Sequence, residues 1–386
     1  MKPSRLFPEL AILLKYGKAY LDTKEKMDQL SDQMFSNISY PEKEEDFQAI
    51  KQHKSRTLQP LVLQALGIYK QNRGKIDDDA INFCALQSLL VKAMSMLDDF
   101  HDLYFVPFWT DLGKCTVENV KRDIRNEGDM QEFARLQKPK MVDGKTIHAT
   151  HYLRGSAQIQ SYYSSKMFNT NLNAFTTYIL GRDAAIEAQA RDIAISVLLK
   201  RDDVKGALEI FGDYRNPYDV SRFLDKLGIA GGEAAVIANQ ISWAGPEGKQ
   251  GLVNEKIREF FRNITNFGQF GIDDIRSLEE DYKSRSPNVL IFSYLQHYGE
   301  FDKASVRKFL WDNPRVISEV LEPLVKDTIE SLKELKKIDF AYEECVLATL
   351  WFFDKVKNSV EYLERKYYVA TDRQWWEEFQ ELKKSL

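Results

Sequence analysis

The feature that most constrains this chain is the stretch Ala93-Met94-Ser95-Met96-Leu97-Asp98-Asp99-Phe100-His101-Asp102. An unbroken apolar run with helical periodicity begins near Ile81 and ends in three carboxylates, Asp98, Asp99 and Asp102. On a helix Asp98 and Asp102 stand one turn apart on the same face, where they repel each other unless a cation lies between them. Oxygen ligands from one helix cannot fill an octahedral shell. The cation such a pair suits is Mg²⁺, which keeps several waters and usually shares a phosphate-bearing substrate. An acidic helix end facing water is the plain alternative, and one cluster does not separate the two.

The rest of the chain also reads as helix, and strand-like alternation is scarce. Residues 9 to 36 make one or two amphipathic helices before an acidic break at Tyr40-Pro41-Glu42. Leu61 to Gly67 reads as a helix ended by its glycine, and Asn72-Arg73-Gly74 as a turn before capping acids at Asp77 to Asp79. The segment from Lys114 to Lys140 is charged, and Lys138 to Lys145 reads as a loop. Helices are expected at 148–168, 172–179 and 184–199. A loop at 214–217 leads into a helix through Lys226, and Gly231-Gly232 permits close helix packing. Further helices are expected at 234–243, 255–281, 289–298, 302–310, 317–335 and 342–367, broken by Gly245-Pro246 and Ser286-Pro287. No repeat, low-complexity tract or linker divides the chain, so 1–386 reads as one all-α domain.

Net charge is −4 with the signs mixed, which gives no basis for a nucleic-acid or anionic-membrane partner. Three widely spaced cysteines suit a reduced, cytoplasmic setting. Pro8 and Glu9 interrupt the apolar N-terminus, which does not read as a signal peptide, and no apolar run is expected to span a membrane.

A second acidic cluster lies at Ile272-Asp273-Asp274-Ile275-Arg276-Ser277-Leu278-Glu279-Glu280-Asp281. Asp273, Ser277 and Asp281 project along one stripe and supply oxygen ligands for a further hard cation. Metal ions held by facing helices can clamp a diphosphate and draw it off as a leaving group. Two decoys read otherwise: Asp202-Asp203 as a cap or surface turn, and His148-x-x-His151 as too poor in partners for zinc.

With both clusters in place the chain resembles the class I isoprenoid synthases, which include trans-prenyl diphosphate synthases and class I terpene cyclases. Asp98, Asp99 and Asp102 match the first motif, Asp-Asp-x-x-Asp, in full. The likeness runs roughly from Arg56 to Gln296. It includes Arg56-Thr57-Leu58-Gln59-Pro60, Gly144-Lys145-Thr146-Ile147-His148 displaced by an insertion at about 103–140, and Phe267-Gly268-Gln269-Phe270 before the second motif. The resemblance implies a helical bundle around an apolar pocket and three Mg²⁺ ions on the diphosphate of an allylic prenyl substrate. It implies Asp98, Asp102, Asp273, Ser277 and Asp281 as metal ligands and Asp99 as a further catalytic acid. Arg56, Lys226, Lys283 and Arg285 fall on the substrate's phosphates, and Phe100 and Phe270 fall against its chain. It also implies a homodimer.

Departures from the pattern divide the family's activities. Chain elongation requires a second diphosphate pocket, but its second basic position falls on Gln59, its His/Gln position on Val91 and its Arg pair on Val142 and Asp143. Lys138, Lys140 and Lys145 are the cations placed to compensate. The second cluster, with Ser277 and Asp281, is similar to the cyclase form, and Arg365-Lys366-Tyr367 to a C-terminal Arg-Tyr pair. The expected activity is cyclisation, with elongation and a non-catalytic subunit as alternatives. Tyr104, Phe105, Phe108 and Trp109 join the candidate pocket wall, against ordinary core packing, and Ala93 and Met94 would set its depth.

Overall fold

The computed structural model describes residues 8–36, 43–53, 58–142, 145–212 and 214–385. The chain is all-α; the strands among the described residues are Lys140–Val142 and Lys145–Ile147, paired as one antiparallel hairpin in the expected loop. The charged segment before it is helical, at Val117–Arg125 and Glu127–Leu136.

The helix that carries the first motif, Asp78–Phe100, starts where Asp77 accepts a hydrogen bond from the Ala80 amide at 3.0 Å. Gly74 turns the chain just before it in the left-handed conformation, φ +72°. This helix is the stave against which others are laid. Helix Ala149–Thr170 lies along one side, where the Ser156 hydroxyl donates to the Ala93 carbonyl at 2.8 Å and Gly155 lets Met96 and Ile50 approach.

Two helices run longer than sequence spacing suggested, for one reason. Gly67 lies within Leu58–Arg73, and Gly181 within the continuous helix Leu172–Lys200. A Cβ would stand 2.9 Å from Glu344 at Gly67 and 2.9 Å from Glu233 at Gly181, so both glycines admit a neighbour and neither ends a helix. The Gly231-Gly232 expectation holds: a Cβ at Gly232 would meet the Arg258 carbonyl at 2.9 Å. Helix Lys226–Ser242 therefore packs backbone-close on Glu247–Gly268.

The expected helix through Lys226 is in fact two. Pro217–Phe223 ends at Leu224, and Lys226 opens the next helix. The intervening Asp225 is buried and held by the Arg262 guanidinium at 2.9 Å, which fixes the break.

One stretch, Asp78–Asp111, is long and apolar enough to cross a membrane, contrary to the sequence expectation. Half of its apolar window is buried in the bundle, and it contains all three acids of the first motif.

Candidate active site

Both acidic clusters sit at local expansions of the helix. His101–Phe105 is a π turn, closed by the Val106 amide donating to the His101 carbonyl, and Gln269–Asp274 is another, where the Ile275 amide reaches Phe270. An added residue in a turn swings the following side chains around the axis, and such bulges gather at functional sites. Glycines make room for the second bulge: Cβ atoms at Gly268 and Gly271 would stand 2.3 Å from Phe352 and 2.5 Å from Val356 of helix Tyr342–Tyr367.

Asp98 and Asp102 face a third acid, Asp192, from the middle of Leu172–Lys200. The Lys226 ammonium lies 3.1 Å from Asp192, 3.4 Å from Asp98 and 3.2 Å from the Gln189 side-chain carbonyl. Beside this ammonium the Asp98 carboxyl falls below its ordinary value despite the desolvation it suffers. Asp102 does the opposite. Desolvation in the cleft, with Asp98 and Asp192 nearby, pushes its carboxyl up to about 7. Its side chain is open to solvent at the rim. Lys200 stands near Asp102, and burial lowers that ammonium.

The second cluster also holds carboxyls raised by burial and by one another. Asp274 is pushed well above the carboxylate range by burial and by Asp273, Asp281 and Asp192 around it, while the Val289 amide donates to it at 2.9 Å. Burial likewise raises Asp281 to about 6, although Ser277 and Asn288 both donate to it, the latter at 2.9 Å. Asp192 thus lies within electrostatic reach of Asp98 on one side and Asp274 on the other.

Asp99 points differently, toward His53, whose Nε2 is 3.1 Å away. That histidine ends helix Lys43–Gln52, which is anchored by the buried Asp46 on His151 at 2.8 Å and Arg154 at 3.0 Å. His151 is thereby accounted for without zinc. Asp203 caps its helix as read from the sequence, accepting from the Gly206 amide at 2.8 Å. His101 is buried and held neutral: burial pushes it down to about 4, and its Nδ1 has no partner among the described residues.

Several sequence assignments are displaced. Phe100, Tyr104, Phe105 and Trp109 are buried in one apolar cluster with Phe133 and Phe108 against it, and Phe270 is buried in the larger core. They pack the bundle, as ordinary core aromatics do. Ala93 is fully buried in a core cluster with Met96, Ile50 and Ile159. The partly exposed face one and two turns from Asp98 is Met94 and Val91. Lys283 pairs with Glu279 at 2.6 Å, one turn away on its own helix. Arg285 leaves that helix with φ 55° and pairs with Asp202 at 2.5 Å. Lys366 joins Glu279 at 2.7 Å, while Arg365 is exposed. Lys138 is exposed, and the Lys140 ammonium donates to the Leu103 carbonyl beside the Tyr104 ring. Arg56 lies outside the described residues.

Sequence reasoning missed Asp192, Gln189, Lys200 and Asn288. The available signal was Gln189 and Asp192 at i and i+3 on the Ala184–Leu199 helix, beside the more usual surface charges Glu187 and Arg191. Lys226 and Lys200 together stand against Asp98, Asp102 and Asp192, which leaves the acids in excess. Among the described residues no three His, Cys, Asp or Glu side chains are gathered closely enough to hold a metal ion. Mg²⁺ does not require such a cage, since it binds through one or two carboxylates, its own waters and substrate phosphate, and hard oxygen donors in charge excess fit it.

No family model and no curated protein matches the sequence. Among solved structures, the chain is similar to a geranylgeranyl pyrophosphate synthetase from Pyrococcus horikoshii Ot3. The identity is 13% and the TM-score 0.41, with 96% of this chain and 98% of that one covered.

Proposed function

We propose that this protein is a Mg²⁺-dependent class I isoprenoid synthase that ionises an allylic prenyl diphosphate and works as a terpene cyclase. The observation that carries this reading is the Lys226 ammonium seated between Asp98 and Asp192, which gathers acids from two helices at the first motif. Acids gathered from two helices at the first motif, with a second acidic cluster from Asp273 to Asp281, are the donors that clamping a diphosphate requires. Asp98, Asp102 and Asp192, and likewise Asp273, Ser277 and Asp281, would reach metal one or two at a time, with water and substrate phosphate completing each shell. Bound Mg²⁺ supplies Lewis-acid pull on the diphosphate oxygens.

The chain's own groups do the rest. Lys226 offers an ammonium to the leaving diphosphate as charge builds on it. Asn288 and the Val289 amide keep Asp281 and Asp274 aimed. Met94 and Val91 give the hydrocarbon an apolar wall that excludes water from the cation left behind. Such an enzyme needs no membrane or nucleic-acid partner, and a cytoplasmic homodimer is the setting we propose for it.

One observation favours elongation as a second reading. Lys200 stands beside Asp102 and is a cation available there to a second diphosphate, while the Lys140 ammonium is engaged by the Leu103 carbonyl. The test is incubation of the protein and Mg²⁺ with C10 to C25 allylic diphosphates, with and without isopentenyl diphosphate, followed by product analysis. Hydrocarbons formed without isopentenyl diphosphate and lost in Asp98→Ala support cyclisation. Longer prenyl diphosphates formed only with it refute cyclisation in favour of elongation.

A further inference from the structure

We propose that Lys226 is a resident counter-cation of the cleft: it competes with divalent metal for Asp98 and Asp192, so that metal binds tightly only together with a diphosphate. The inference rests on the cleft being a metal–diphosphate site.

An ammonium has three protons, and Lys226 has three oxygen acceptors at 3.1, 3.2 and 3.4 Å, on Asp192, Gln189 and Asp98. Its hydrogen-bonding capacity is spent on the groups a metal would need. The position is not one a lysine takes for the helix's sake. Lys226 opens helix Lys226–Ser242, where the positive end of the helix dipole disfavours a cation. The carboxylates compensate for that placement.

The base of the residue is fixed while its tip is not. Asp225, one residue earlier, is buried under Arg262. Gly228 and Gly232 lock the helix onto Glu247–Gly268, since Cβ atoms there would stand 2.8 and 2.9 Å from the carbonyls of Arg262 and Arg258. The four-carbon stem beyond this anchor can swing, and lysine is a point charge without a rigid fork.

A divalent ion between Asp98 and Asp192 would stand against the ammonium, so it must displace the lysine or bind weakly. A diphosphate changes the balance by giving Lys226 a new anionic partner. By linkage, whatever metal gains from diphosphate, diphosphate gains from metal. Metal taken up alone and metal taken up with diphosphate then differ by the cost of moving one lysine.

Mn²⁺ binding by the full chain, followed by electron paramagnetic resonance, tests this without turnover. In the unaltered protein, inorganic pyrophosphate is expected to tighten Mn²⁺ about tenfold. Lys226→Met and Lys226→Gln are each expected to bind Mn²⁺ alone about tenfold more tightly than the unaltered protein, with a smaller pyrophosphate effect. Lys226→Arg keeps the charge and serves as the folded control, with weak binding of Mn²⁺ alone. Unchanged or weaker Mn²⁺ binding in both neutral variants overturns the counter-cation while leaving the metal site standing. Absence of Mn²⁺ binding in every protein, with and without pyrophosphate, overturns the metal reading as well.

Discussion

Asp102→Asn is expected to stabilise the metal-free protein at alkaline pH. The Asp102 carboxyl is raised from 3.8 to about 7, chiefly by desolvation and then by Asp98 and Asp192. The folded state therefore holds a proton that the unfolded state has released between about pH 4 and 7, and stability falls as pH rises through that window. The full rise corresponds to a ceiling of about 4 kcal/mol. The side chain opens to solvent at the rim, so screening reduces the effect to about 1–2 kcal/mol. For a chain of this length that is a Tm increase of about 1–3 °C at pH 8. The difference should shrink as pH falls toward 4, where the native carboxyl is protonated and the unfolded one is becoming so. Thermal melts of the two proteins in chelator across pH 4.5–8.5 read this directly, and Mg²⁺ with pyrophosphate should reverse the order. Equal or lower stability of the variant at pH 8 in chelator would refute the crowding of acids on which the site rests.

Other consequences are sharper in sign than in size. Asp192→Asn should cut turnover of an allylic diphosphate as severely as Asp98→Ala while leaving the helical circular dichroism spectrum unchanged; retained activity would remove Asp192 from the site. Asp46→Asn takes the anion from His151 and Arg154 and should cost about 2–4 kcal/mol in denaturant unfolding. Gly271→Ala drives a methyl into Val356 beneath the second bulge and should cost about 1–3 kcal/mol, with turnover falling as Asp273 shifts. Arg201 donates to the Trp109, Thr110, Leu112 and Gly113 carbonyls. Arg201→Ala should accelerate amide exchange across 109–113 and leave the core helices protected.

How much of this was legible beforehand depended on how local the cause was. Helical class, the turn at Gly74, the cap at Asp77, the break at Ser286-Pro287 and helices 289–298 and 342–367 followed from periodicity and backbone chemistry within a few residues. Both acidic clusters were visible because their spacing is itself the signal. What failed depended on a neighbour distant in sequence. Gly67 looked like a helix end, and 172–179 and 184–199 looked like two helices, because the side chains that Gly67 and Gly181 accommodate, Glu344 and Glu233, lie far along the chain. Phe100 and Phe270 looked like pocket walls, but packing against distant helices decides which face of a helix is buried, and it buries both.

The chain by itself determined that it would be helical and that hard oxygen donors would cluster at two points. Composition, spacing and caps act through the chain's own backbone, and no other part of the molecule is needed to express them. Only the tertiary structure decided that Asp192 would join Asp98 and that Lys226 would turn inward onto these acids from two other helices. Charges separated by dozens of residues acquire a shared pKa, a shared cation and a shared chemistry only when packing brings them within a few ångströms in a medium less polar than water.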